Sequence, residues 1–173
     1  MASNTGTRYL WMAVEALNIF ISYSHRDEKL KDELVNLHLK PLKREGKINT
    51  WQDRDIAAGA EWAREIKENL ETADIVLLLI TRHFLASDYC YETEMQRAVQ
   101  RHHEGTARVI PIILEICGWK YGPFKNLQVL PKDGIPVTDW DSTAKGFYNV
   151  EEGIRRVIDD LHTQRQAAET ARV

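Results

Sequence analysis

The sequence predicts an α/β domain: a central, mainly parallel five-stranded sheet flanked by helices. Three observations carry that expectation. Short runs rich in Ile and Val recur along the chain, and several are apolar without alternation, as strands covered on both faces are. Stretches with apolar residues three and four positions apart fill the gaps between them. Strand and helix therefore alternate, as they do in a doubly wound sheet.

The first strand is residues 18–23 (NIFISY). Leu30, Leu34, Leu37 and Pro41 follow at helical spacing, with charges between them. Residues 48–51 are a second, short strand, and Trp62, Ile66 and Leu70 then repeat every four positions as a helix does. The third strand, residues 75–80 (IVLLLI), is the longest apolar run and far too short to cross a membrane. From 91 to 104 a helix carries Met95, Ala98 and Val99 on one side. The fourth strand is residues 109–114 (VIPIIL), in which Pro111 marks an end or an edge. Gly118, Gly122, Pro123 and Pro131 make the next stretch a loop, and residues 135–140 (IPVTDW) are the fifth strand, centred on 135–138 despite Pro136. A stripe of Val150, Ile154, Val157, Ile158 and Leu161 forms the last helix.

The chain has 173 residues, which suits one domain over residues 17–162. Residues 1–16 are read as an N-terminal extension or tag, and the polar tail 163–173 as a linker to another module. Hydrophobic residues make up 43% and charged residues 28%, the balance of a soluble globular protein. A net charge of -3 gives no footprint for nucleic acid or an anionic membrane. The N-terminus has no basic segment followed by a signal-type apolar core. Cys90 and Cys117 have no metal-ligand or redox spacing, so the sequence assigns no metal and a reducing, cytoplasmic setting.

Ligands of such sheets bind at the carboxyl ends of the strands, which directs attention to the loops after Tyr23, Trp51 and Ile80. In the first, Ser24 or Asp27 suits a helix cap, while His25 and Arg26 are cationic donors where a pyrophosphate would sit. No glycine-rich fingerprint is present. In the second loop, Asp53 and Asp55 raise a receiver-like magnesium pocket. That reading is set aside because no acidic pair or lysine stands at the other strand ends. Gly59 marks a turn before Glu61 and the next helix. The third loop leads to Glu92 and Glu94, which lie roughly 200° apart on a helix and cannot share one pocket. An acid there is also an ordinary dipole-stabilising cap. Cys90 beside them has no partnered histidine that would make it a nucleophile. His102 and His103 fit a solvated helix end, and Trp119 and Trp140 fit core or loop packing.

Taken together, these segments resemble a bacterial-type TIR (Toll/interleukin-1 receptor) domain over about residues 17–161. NIFISYSHRDE is similar to the family's first-strand motif, and RVIPIIL to its fourth strand. The stretch from Trp51 to Cys90 is similar to its second and third segments, with Asp53 to Trp62 in the place of the BB loop. The resemblance implies a flavodoxin-like TIR fold and NAD⁺ as a substrate rather than a bound cofactor. It further implies partners that are other TIR protomers, in a homo-oligomer or filament, with a fused or associated sensor module in immune or stress signalling. Family enzymes carry a tryptophan or similar residue, a glutamate four positions on, and often an alanine four beyond. Glu94 fits that pattern with Ala98 after it, whereas Cys90 stands in the tryptophan position, flanked by Tyr89 and Tyr91. The implied catalytic residue is Glu94. Tyr23, Ser24, His25, Arg26, Trp51, Asp53, Tyr89 and Cys90 would hold the substrate, and Asp55, Gly59 and Glu61 would belong to the assembly loop. One carboxylate suffices because nicotinamide in NAD⁺ is already a cationic leaving group, unlike an ordinary sugar alkoxide. A non-catalytic TIR interaction module is the alternative. On either reading the 53–61 loop is expected to be mobile in a lone protomer.

Overall fold

The computed structural model describes residues 15–173. The proposed extension over residues 1–16 therefore lies outside the described residues, apart from its last two. In chain order the elements are β1 (Leu17–Ser22), α1 (Glu28–Glu33), α2 (Lys40–Arg44), β2 (Ile48–Trp51), α3 (Trp62–Thr72), β3 (Ile75–Ile80), α4 (Arg82–Ala86), α5 (Gln96–His103), β4 (Arg108–Ile113) and α6 (Thr143–Ala171). Two wide, π-type turns interrupt the helices: Leu34–His38 joins α1 to α2, and Tyr89–Met95 runs into α5.

Among the described residues the sheet has four strands in the order β2-β1-β3-β4, all parallel. Every residue of β3 is buried, as its unbroken apolar run requires of a strand covered on both faces. Alternate residues serve two cores. Ile19, Ile21, Leu77, Leu79, Ile110 and Ile112 face Leu34, Leu39, Phe147, Val150 and Ile154. On the other face Phe20, Val76, Leu78 and Ile80 meet Ile66 and Leu70 of α3, together with Phe84, Met95 and Ala98. Fully burying one such side chain is worth about 1.5–3 kcal/mol. Cores of this size offset the cost of the buried polar groups Ser22, Asp27, Thr81 and Glu94 at the sheet's carboxyl end.

Two expectations are corrected. The fifth strand does not form. Residues 132–134 and 137–139 are tight 3₁₀ turns, and the sheet's fourth edge is met only by a single parallel bridge from Ile112 to Leu130. Pro131 and Pro136, which lack N–H donors, flank the turn that replaces the strand. Pro111 sits in β4 without damage because its carbonyl points outward and accepts from Leu130 N at 2.9 Å. Its missing N–H therefore faces the sheet edge and not β3. The second correction is Leu37, which is 66% exposed. The π-type turn takes more residues per turn and so shifts the helical phase there, and Leu34, Val35, Leu39 and Leu42 are buried in its place.

From β1 the chain moves out to β2, then returns past β1 to form β3 on its other side. The carboxyl ends of β1 and β3 are therefore the point where the winding reverses and the connecting loops part. That crevice is where open α/β sheets place ligands.

Candidate active site

A cleft of about 680 Å³ opens at this reversal point, within the range of small-molecule sites. Its floor is the end of β1, where Phe20, Ile21 and Tyr23 line it. One wall is the turn from Ser24 to Arg26, with Asp53 beyond β2 opposite His25. The other wall comes from His83 to Glu94.

Glu94 is a buried carboxyl that lines the cleft. The π-type turn Tyr89–Met95 widens the helix so that Cys90, Glu94 and Met95 all face inward, a distortion that recurs at functional sites. Glu92, two residues earlier, is exposed. Glu94 is only 6% exposed, and the Ser22 hydroxyl at the end of β1 donates to its Oε2. Burial pushes its carboxyl up to about 7, opposed by the Ser22 hydrogen bond and reinforced by the nearby charge of Asp53. A carboxyl poised at that value can be neutral or charged near physiological pH.

The polar rim is arranged around Asp53. His25 Nε2 pairs with Asp53 Oδ2, while Asp53 Oδ1 is buried without a hydrogen-bond partner. Asp55 turns away and accepts from Gln52 N at 3.0 Å, closing the tight turn at residues 53–55. Arg54 holds that turn to α1 through a two-pronged pair with Glu28, at 2.8 and 3.2 Å. Ser24 caps the turn that follows it, accepting from Arg26 N at 3.4 Å. Arg26 itself is exposed and lines the cleft. Gly59, at φ +84, supplies the left-handed residue of the turn from Ala57 to Ala60, and Glu61 is exposed after it.

Cys90 is buried, and its Sγ donates to the Tyr23 carbonyl at 3.4 Å. Burial pushes its thiol up to about 11, so it stays protonated and is a poor nucleophile. Tyr23 and Tyr89 are likewise pushed above the ordinary phenol value, first by burial and then by nearby acids. Both serve as neutral walls.

Of the expected binding residues, the cleft gathers Tyr23, Ser24, His25, Arg26, Asp53, Tyr89, Cys90 and Glu94. Trp51 is not among its lining residues. It pairs in register with Phe20 and stacks on that ring, with centroids 5.2 Å apart, because neighbouring residues across a parallel pair share a face. The cleft's tryptophan is Trp62, its ring 4.9 Å from that of Tyr89. The sequence places Trp62 at helical spacing with Ile66 and Leu70 and assigns it no role in the site; it is 46% exposed while those two are buried. A large aromatic at the first position of a helix, just beyond the reach of the core, was the available signal. His83, Ala86 and Ser87 also line the cleft and were not singled out from sequence.

Comparison with known proteins agrees with this architecture. The TIR domain family model matches residues 19–148. An uncharacterized protein, y4lF, of Sinorhizobium fredii (strain NBRC 101917 / NGR234) is 49% identical over 138 residues, 80% of this chain and 42% of that protein. The chain thus spans about two fifths of the relative's length. Among solved structures, the TIR domain of the Toll-related receptor TRR-2 from Hydra magnipapillata superposes with a TM-score of 0.58 at 20% identity, covering 81% of this chain and 99% of that one. The TIR domains of the activated Roq1 resistosome, which recognises the pathogen effector XopQ, give 0.50 at 16% identity, over 79% of this chain and 84% of theirs. At these identities the solved structures speak for the fold, and the family match, which spans most of the chain from β1 into α6, shows that the protein belongs to the TIR domain family.

Proposed function

We propose that this TIR domain cleaves NAD⁺, releasing nicotinamide, with Glu94 as its catalytic residue. The observation that carries the reading is Glu94 itself: a buried carboxyl held by Ser22 in a cleft at the sheet's reversal point. Clustering of a strongly shifted acid with a cleft marks functional sites.

Cleavage breaks the bond between the ribose C1′ and the pyridinium nitrogen. The bonding electron pair leaves with nicotinamide and neutralises it, so no general acid is required. Positive charge develops on the ribose, and the Glu94 carboxylate stabilises it in a site with little water to compete. Water, or a nucleophile of the substrate's own adenine, then attacks C1′ and gives ADP-ribose or a cyclic isomer, with loss of one proton. The cationic substrate would itself favour the ionised form of Glu94. Trp62, Tyr89 and Tyr23 offer ring faces for stacking, and Arg26 and His25 are the donors for phosphate.

In this reading the substrate-competent state requires other copies of the domain, gathered in the cytoplasm by a fused or associated sensor module in bacterial immune or stress signalling. No helix among the described residues is long and apolar enough to cross a membrane. A second reading, an interaction module without turnover, draws on Cys90 in the position where family enzymes carry tryptophan. Incubating concentrated protein with NAD⁺ and measuring nicotinamide separates the two. Release by wild type and none by Glu94→Ala supports cleavage, and equal traces from both leave the interaction module.

A further inference from the structure

We propose that Asp27, His83 and Glu115 form a binding site for a divalent transition-metal ion, with Zn²⁺ as its best fit, beside the Glu94 cleft. Each offers one ligand atom, and these atoms all lie within 4.8 Å of one another. They come from three separate segments: the turn after β1, the first turn of α4, and the second residue beyond β4. Sequence spacing could not show this. The argument that no acids stand together at the strand ends is corrected by this cluster, which folding alone assembles.

The donor set is one imidazole and two carboxylates, which suits first-row divalent ions such as Zn²⁺ better than the all-oxygen preference of Mg²⁺ or Ca²⁺. Two further observations favour a cation at this cluster. Glu115 Oε1 is shut off from solvent and accepts no hydrogen bond, a costly condition for a carboxylate. Asp27 is only 7% exposed and accepts from the Thr81 hydroxyl at 2.5 Å, leaving lone pairs for another partner. The cation already nearby is Arg82, with Nε 3.7 Å from Glu115 but a side chain 75% exposed and free to swing away. Three protein ligands leave coordination positions for water. Because His83 also lines the cleft, an ion here would tie that wall to the ends of β1 and β4. The proposal does not depend on NAD⁺ cleavage.

The test is calorimetric titration of the chelator-stripped full chain with ZnCl₂, with circular dichroism to confirm folding without metal. Wild type should bind one equivalent. His83→Gln and Glu115→Gln should each weaken that binding by at least about tenfold, the loss expected even when only a residue that hydrogen-bonds a metal ligand is changed. Arg82→Ala should bind as tightly as wild type or more so. No saturable binding, or binding unchanged in either ligand variant, overturns the site; an ion held at His102 and His103 would give the latter. Should His83→Gln fail to fold, Glu115→Gln decides alone.

Discussion

At the scale of single residues, Glu94 fixes the expected pH behaviour. Its carboxyl sits at about 7 against an ordinary 4.5, chiefly through burial. If the carboxylate is the working form, kcat/KM for nicotinamide release should rise with pH and level off above an inflection near 7. The inflection in kcat should lie lower, because bound cationic NAD⁺ favours the carboxylate. Asp53→Asn removes the neighbouring like charge and should move the kcat/KM inflection toward acid; an inflection that stays in place would dissociate the two residues. Glu94→Gln should lower turnover by roughly 10²-fold or more, the scale of losing one preorganised electrostatic group. The same variant has a signature in stability. A group whose folded value is raised contributes fully below its unfolded value and loses that contribution as pH rises through the folded one. Wild type should therefore lose stability relative to Glu94→Gln between about 4.5 and 7, by roughly 3 kcal/mol at 1.36 kcal/mol per pH unit. Urea melts of both proteins at pH 5 and 8 measure it, and parallel curves would mean that Glu94 is not buried as described.

At the scale of elements, two tryptophans have separate duties. Trp62 opens α3 and faces Tyr89 across the cleft, whereas Trp51 ends β2 and stacks on Phe20. Trp62→Ala should raise KM for NAD⁺ by about two- to tenfold, matching the 0.5–1.5 kcal/mol of an aromatic pair, and barely change the melting temperature. Trp51→Ala should do the reverse, lowering stability with little effect on KM; steady-state kinetics beside thermal melts will show which ring holds substrate. The contrast also shows what the sequence could convey. Four strands were legible because a buried parallel strand needs an unbroken apolar run, which 75–80 supplies. The fifth was misread because IPVTDW has strand composition, while proline geometry and the turn chemistry of Lys132–Gly134 govern the outcome. The glutamate was legible through family resemblance, not periodicity. Its inward aim beside Cys90 depends on a π-type turn, and helical spacing has no signal for one. Trp62, and not the expected Trp51, reaches the cleft for a related reason: spacing assigns a residue to a face but does not say where the core under that face ends.

At the scale of the whole molecule, the proposed need for a second copy rests on the loop after Asp53. The loop after Asp53 is exposed from Ala57 through Trp62, and its turn is closed by a single backbone bond from Ala60 N to the Ala57 carbonyl, at 3.1 Å. Asp53, which charges the cleft, and Trp62, which walls it, stand at the two ends of that same segment. Any rearrangement of the loop therefore reaches the site. Ordering backbone costs roughly 1–2 kcal/mol per residue fixed, and a lone protomer offers this loop few contacts in return. Contacts from a neighbouring copy would offset that cost, so the competent population should follow mass action. Specific activity is expected to climb as the protein is concentrated or crowded. Gly59 tests the link. Its φ of +84 suits glycine, and a Cβ there would meet nothing within 4 Å. Gly59→Ala should therefore strain the turn by about 1 kcal/mol without disturbing the core. It should flatten the rise in activity with concentration while lowering the melting temperature of the dilute protein by only about 2–4 °C. A dilution series with light scattering alongside the nicotinamide assay reads both quantities. Constant specific activity from a monomer at every concentration would mean that one chain supplies the whole site and that this loop has no part in assembling it.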